Sequence, residues 1–416
     1  ALEAAVMLSG RYARLAAELA EKASGDDRAR LDRMRRALEK VPGQRADTLY
    51  EAIQSFMILW QVMCAEQAPN PFAFSVGNAD RIFEPYRAAE GLSRQEAAAY
   101  LMHLLVFFNV GDRSWAISQN LIVGGRDESG RDLTNDTSYA LLDAYFEMNL
   151  PQPILSVKLH KNTPDALYRD LGRFFFTPGC LTPSLFNDDS VFEALGASGV
   201  RAEDLSDYAI AGCQEPLIMG RDNGNTTNTW LNLPKILELT LTNGVSLVTG
   251  EKIASFVEPA GPVAGLKNLR ERFYRNLSGF LEEMERAAND ASRAVSRLPV
   301  PFLSAMMRGL ESGYDMRDTA HQGTRYNGSG CLIHGLSVLA DSFVAVDRLL
   351  AERPGDAEKL VPALRANFAG YEELRAFLRA CPKYGENESA PDGEAAEIAA
   401  RVSDMVSSLR NYLGNP

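Results

Sequence analysis

The sequence predicts an α/β protein, and three observations carry that expectation. Between residues 120 and 213, short apolar runs bounded by turn residues alternate with helical patterns. The runs are apolar almost throughout, which suits a sheet covered on both faces, or one closed into a barrel. Long helical patterns flank this region on either side.

Residues 1–39 read as two helices rich in Ala, Leu, Arg and Glu, broken at Ser24-Gly25-Asp26, where Ser24 or Asp26 can cap. Residues 48–66 form a buried helix, because Phe56, Met57, Leu59, Trp60 and Met63 occupy more than one face. Residues 69–78 are a loop or short strand. A helix over 93–110 opens on Ser93 and Glu96, a capping pattern. Strands follow at 120–125, 153–159, 181–186 and 207–213, with helices at 164–176 and 191–195 between them. Asn187-Asp188-Asp189 could pass for metal ligands, but suits the N-cap of the next helix better. Further on, one long charged helix is expected over 264–297, an apolar helix over 331–351 and a last helix over 394–412. No linker-like composition and no repeat period interrupts the chain.

The length of 416 residues suits two or three domains, or one large one. Hydrophobic residues at 46% and charged ones at 24% fit a soluble protein with a large core. A net charge of -12 without a basic stripe argues against a nucleic-acid partner. No apolar run approaches the roughly 20 residues that span a bilayer, and no signal-peptide pattern opens the chain. The chain starts on Ala1 inside a helical pattern and stops at Gly414-Asn415-Pro416, so further sequence is expected beyond it. Five scattered cysteines (Cys64, Cys180, Cys213, Cys331, Cys381) form no CxxC pair or metal framework, which fits a reducing cytoplasm.

The most informative segment is Gly212-Cys213-Gln214-Glu215-Pro216. An apolar strand runs into Gly212, and Glu215 lies on the same side as Cys213 if the chain stays extended. Pro216 then prevents regular continuation. A sulfur and a carboxylate offered together suit a nucleophile or radical site with an acid or base beside it. A buried cysteine with a surface glutamate near a turn is the plainer alternative, and Cys-x-Glu alone does not decide between them. His160 could bind an anionic group, or could simply satisfy its neighbours. Gly124-Gly125-Arg126-Asp127 reads as a turn, without the context of a dinucleotide fingerprint.

A series of short motifs resembles the pyruvate formate-lyase-like family of glycyl radical enzymes in order and spacing. It runs Glu51-Ala-Ile-Gln54, Gly124-Gly125, Pro151-Gln-Pro153, Leu155-Ser-Val-Lys-Leu-His160, Phe186-Asn-Asp188, Gly212-Cys-Gln-Glu-Pro216, Pro301-Phe-Leu-Ser304, Tyr326-Asn327, Ala340-Asp-Ser342 and Lys383-Tyr-Gly385. Each motif is weak alone, and the order carries the resemblance.

The resemblance implies a ten-stranded α/β barrel of two antiparallel five-stranded halves, wrapped in helices and incomplete in this chain. Residues 1–44 would be a helical N-terminal segment, and 45–416 the barrel portion with the catalytic cysteine. It implies Cys213 as the hydrogen-abstracting thiyl, closed off from solvent, and Glu215 as the base for elimination. Asn225-Thr226-Thr227-Asn228, shortly after the site, could supply substrate hydrogen bonds or equally form a polar turn with caps before Trp230, and His160 is a further candidate substrate contact. Formate-lyases proper resemble a Cys-Cys pair, whereas Gly212 precedes Cys213 here, which disfavours acyl transfer. Gln214, where many relatives have Val, leaves the substrate subgroup open. The family's glycine fingerprint, Arg-Val-x-Gly-Tyr, is not found: Arg401-Val-Ser-Asp404 has Asp404 in place of the glycine and reads as an ordinary helix. The chain would then bind no metal or cofactor itself. Its implied partners are a small-molecule substrate, a radical S-adenosylmethionine activase with an iron–sulfur cluster, a separate glycyl-radical domain and a second copy in a homodimer. The implied setting is the cytoplasm or a bacterial microcompartment. Formate C-acetyltransferase activity, or a non-catalytic binding subunit, are the alternatives.

Overall fold

The computed structural model describes residues 1–67, 76–110, 119–224 and 228–416. The chain divides into two compact units, the first made of Ala1–Thr226 with Leu298–Asn327, the second of Thr227–Arg297 with Gly328–Pro416. The two N-terminal helices, Leu2–Lys22 and Gly25–Lys40, fall in the first unit. Alanines on one face of the first helix let it pack closely, and the buried Ser9 hydroxyl donates to the carbonyls of Leu38 and Val41.

The first unit is built on a four-stranded sheet in which β1 (Gly77–Asn78), β2 (Asn120–Gly124), β3 (Ile154–Leu159) and β4 (Ser184–Asn187) lie side by side in chain order, all parallel. Side chains alternate along a strand, so each strand serves two faces. Leu121, Val123, Leu155 and Val157 point into the main core, among Leu101, Leu104, Leu105, Leu141 and Leu142 of two covering helices, Arg94–Val110 and Asp136–Met148. Asn120, Ile122, Ser156 and Lys158 take the opposite face, and Ile122 packs there with Tyr208, Ala209, Ile210 and Phe192.

Those partners belong to an antiparallel hairpin, β5 (Tyr208–Ala211) and β6 (Glu215–Ile218), together with the helix Asp188–Ala197. The expected irregularity at Pro216 does not occur. Pro216 pairs with Ile210 inside β6, and a strand with only one partner tolerates proline because its outer edge needs no ladder N–H. The expected caps at Ser93 and Asn187 form, while Ser24 stands at the N-cap of Gly25–Lys40 without a side-chain cap bond. Thr48 accepts from Glu51 N, Ser93 and Glu96 cap each other's backbone, and Asn187 accepts from Asp189 N.

In the second unit β7 (Thr229–Asn232) and β8 (Cys331–His334) form a parallel pair. Helices Leu269–Val295, Leu336–Glu352 and Ser389–Ser407 share a core that includes Phe273, Leu277, Leu339, Phe343, Ile398 and Val402. Two expectations fail here. The apolar run from Cys331 is a strand first, and the helix begins only after Gly335. At φ +80, a Cβ on Gly335 would stand 2.3 Å from Pro234, so only glycine lets the strand turn into the helix there. The long helix is two, Pro262–Lys267 and Leu269–Val295, broken at Asn268. Just past the break, Arg272 donates back to the carbonyls of Gly265 and Thr240. Arg401 and Asp404 lie within the last helix, as expected, and Arg401 stacks on the Tyr274 ring. Among the described residues, no helix is long and apolar enough to cross a membrane.

Candidate active site

The hairpin is fixed to the polar face of the sheet at both of its ends. At its base, the Tyr208 carbonyl accepts from Lys158 Nζ at 2.5 Å and from Asn78 Nδ2 at 3.2 Å. At its tip, the Gly212 carbonyl accepts from Asn120 Nδ2 at 2.9 Å, and the same amide nitrogen also reaches Ser156 Oγ at 2.9 Å. The spacing follows from strand geometry. Tyr208 to Gly212 is four residues, as is Gly124 to Asn120 on β2, and each span is about 13 Å at the usual strand rise. β5 therefore crosses the sheet antiparallel to β2, with its tip at the N-terminal end of the parallel strands.

Residues Gly212, Cys213 and Gln214 turn the chain, with Gly212 in the left-handed region at φ +60. Glu215 is buried, and its Oε2 accepts from the amides of both Cys213 and Gln214 at 2.9 Å. The carboxylate and the cysteine are thus held by the same three-residue turn, though not by the extended chain that alternation suggested.

The expected closure of Cys213 is corrected: in this chain it is exposed. Gly212 already stands opposite Asn120, the first residue of β2, so the next residue projects past the end of the strand. Accessibility separates the five thiols. Cys64 is buried and its thiol is pushed up to about 12 by burial, while Cys381 is buried and raised for the same leading reason. Cys213 is therefore expected to alkylate first with iodoacetamide, and at least about tenfold faster than Cys64. Site-resolved mass spectrometry reads the order directly, and Cys64 reacting as fast as Cys213 would contradict the placement.

His160 lies elsewhere. It ends β3 and is buried, with Nε2 3.0 Å from Asp132 Oδ1 and Nδ1 accepting from Asn162 N at 3.3 Å. Both ring nitrogens are taken by local partners. Six residues separate His160 from Ile154, which pairs with Asn120 near the tip, so the histidine stands about 20 Å away along the strand. Asn225 and Thr226 lie outside the described residues. Among the described residues no group of three or more His, Cys, Asp or Glu side chains is placed to hold a metal ion.

What motif reading passed over is the buried polar layer beneath the hairpin. Lys158 is fully buried, and its ammonium also meets Asn78 Oδ1 at 2.6 Å, the Ser206 carbonyl at 3.3 Å and the Tyr208 ring at 3.9 Å. Burial lowers the Lys158 pKa to about 7, Arg81 adds to that, and Asp188, Asp80 and Asp207 oppose it. The Tyr208 hydroxyl donates to Asp188 Oδ1 at 2.7 Å, and Asp188 Oδ2 accepts from Arg126 N. Gly125 closes this layer. At φ +96, a Cβ there would lie 2.7 Å from Lys158 Cδ and 2.9 Å from Asp188 Oδ2. The available signal was the lysine inside an otherwise apolar strand.

Sheet, hairpin and exposed thiol together define an α/β protein that presents a cysteine and a carboxylate on one braced turn. The family model described as pyruvate formate lyase-like matches residues 1–416, and the chain belongs to that family. It is 28% identical to the isethionate sulfite-lyase of Desulfovibrio desulfuricans, over 95% of this chain and 50% of that protein. It is 27% identical to the (2S)-3-sulfopropanediol dehydratase of Klebsiella oxytoca, over 94% of this chain and 49% of that protein. A glycyl radical enzyme from Archaeoglobus fulgidus superposes with a TM-score of 0.87 at 28% identity, over 99% of this chain and 54% of its own. The fold is that of the glycyl radical enzymes, and the chain spans about half the length of the curated relatives it matches.

Proposed function

We propose that this chain carries the hydrogen-abstracting cysteine of a glycyl radical lyase, with Cys213 as the thiyl and Glu215 as the base that serves elimination. The observation that carries the proposal is the shared turn: one carboxylate bonded to the Cys213 amide, on a hairpin braced at both ends. Membership of a family whose matched relatives are a sulfite-lyase and a dehydratase supports elimination over acyl transfer. So does Gly212, which stands where acyl transfer would call for a second sulfur.

In the proposed reaction Cys213 would give up its thiol hydrogen to a glycyl radical, which an S-adenosylmethionine activase would install and which would supply the unpaired electron. An exposed sulfur fits delivery from outside the hairpin. The Cys213 thiyl takes a hydrogen atom from a substrate C–H, forming S–H and a carbon radical. Glu215 accepts or relays the proton that moves as the neighbouring group departs. The product radical then recovers hydrogen from the Cys213 S–H, so the cycle closes without an added oxidant. Holding one C–H bond against sulfur requires a fixed turn, because misplacement by an ångström costs heavily in rate. The proposed partners are therefore a small organic substrate and the activase, with a second copy of the chain in a homodimer.

The decisive variant is Cys213→Ser in the complete, activase-treated enzyme, assayed with small hydroxylated, sulfonated or aminated substrates. Elimination should disappear while the protein still acquires its radical signal by electron paramagnetic resonance. Turnover surviving in Cys213→Ser would remove the thiyl assignment.

A further inference from the structure

The buried ammonium beneath the hairpin has a stoichiometry that points to its use. Three acceptors surround the Lys158 amine: the Tyr208 carbonyl at 2.5 Å and Asn78 Oδ1 at 2.6 Å, which match the two N–H donors of the neutral amine, and the Ser206 carbonyl at 3.3 Å, which a third donor reaches on protonation. Two of the three belong to the chain entering the hairpin, and Asn78 donates its own amide back to the Tyr208 carbonyl. The tip, by contrast, is held by a neutral amide, Asn120 Nδ2. We propose that Lys158 is a positioning residue for Cys213: it fixes the base of the β5–β6 hairpin on the sheet, and the hairpin cannot slide or lift without exposing the Lys158 amine to water. The role in catalysis rests on the thiyl assignment made above, but the hairpin's position is measurable whether or not the chain turns over.

Burying an amine ties this opening to protons. The charged groups facing Lys158 are Asp80 and Arg81 at the start of the helix after β1, Asp188 at the start of the helix after β4, and Asp207 just before β5, with the Tyr208 ring alongside. Burial outweighs the carboxylates and brings the closed-state pKa to about 7. A lysine exposed by opening titrates near 10.4, so between about pH 7 and 10 the open form binds more protons than the closed one. Raising the pH through this window therefore disfavours opening. Below about pH 7 the closed and open forms are both protonated, and the dependence vanishes.

Hydrogen exchange on the 416-residue chain tests this. After correction for intrinsic exchange, the opening constant of peptides covering residues 207–219 should fall by up to about tenfold per pH unit from pH 7.5 to 9. Lys158→Met should flatten that slope for these peptides. It should also change the Cys213 alkylation rate at least about fivefold, while Cys64 and Cys381 stay protected. The wild-type profile needs no variant, so a misfolded Lys158→Met does not spoil the test. A flat wild-type profile, a slope retained in Lys158→Met, or a slope shared equally by peptides across the chain would each overturn the proposal. Parallel loosening of all the cysteines in Lys158→Met would do the same, since that is general unfolding. If Cys213→Ser keeps full activity while the hairpin shows the expected slope, the thiyl assignment fails and the positioning of the hairpin stands.

Discussion

Asp204→Ala should destabilise the first unit by about 1.5–3 kcal/mol, the range for hydrogen bonds to a charged group. Asp204 is 1% exposed, and its carboxylate meets Arg221, Arg325 at 3.1 Å, Arg201 at 3.2 Å and the Tyr326 hydroxyl at 2.6 Å. Burial works against its charge, but Tyr326 and the three arginines outweigh it and hold the carboxyl below its usual range. With its folded pKa depressed, its contribution is complete above the unfolded pKa and is lost as pH falls through the folded value. Loss of Asp204 leaves the partly exposed Arg325 without an ion-pair partner among the described residues, while Arg221 keeps Asp207 and Arg201 keeps Glu203. Asp204→Asn, which retains an acceptor for Tyr326, should cost less than Asp204→Ala. Urea unfolding at pH 7 measures both, and a loss under about 1 kcal/mol for the alanine variant would class the cluster with surface ion pairs. The effect reaches the hairpin because the carbonyl of Arg221, just beyond β6, accepts from the amides of Arg325 and Tyr326.

The parts of this molecule legible in the sequence are those fixed by neighbours a few residues apart. Ser93 with Glu96, and Asn187, each cap a helix within three residues, so their chemistry is local and readable. Cys213 and Glu215 stood out because strand, glycine, cysteine and acid follow one another directly. The misreadings have a common cause in long-range contact. Cys331–His334 is as apolar as a helix start, and its strand identity comes from pairing with Thr229–Asn232, a hundred residues away. The break at Asn268 goes with Arg272 reaching the Thr240 carbonyl. Neither partner is visible from the run itself.

Lys158 shows the same limit at the site. Within Leu155-Ser-Val-Lys-Leu, alternation puts Ser156 and Lys158 on one face, and a lone strand offers no reason to bury that face. The hairpin supplies the reason: its backbone carbonyls at Tyr208 and Ser206 need donors once water is excluded. The exposure of Cys213 was misjudged for the converse reason. A reactive radical calls for a closed site, but closure is a property of whatever surrounds the sulfur, and the hairpin alone places it beyond the end of β2.

Glu215 holds two jobs that substitution can separate. Its Oε2 organises the turn by accepting from Cys213 N and Gln214 N, and its charge makes it the proposed base. Glu215→Gln keeps an amide oxygen that can accept both bonds but cannot take a proton at neutral pH. In the complete, activated enzyme this variant should lose about 10²–10⁴ in kcat, the usual contribution of general acid–base catalysis. Its hairpin should exchange hydrogen as the parent does. Glu215→Ala should lose the activity and also speed exchange of the Cys213 and Gln214 amides, because both lose their acceptor. A Glu215→Gln enzyme with full elimination activity would leave the carboxylate a purely structural group. Formate exchange with pyruvate retained in Glu215→Gln would point to acyl transfer instead, since that chemistry calls on sulfur and not on a base at this position.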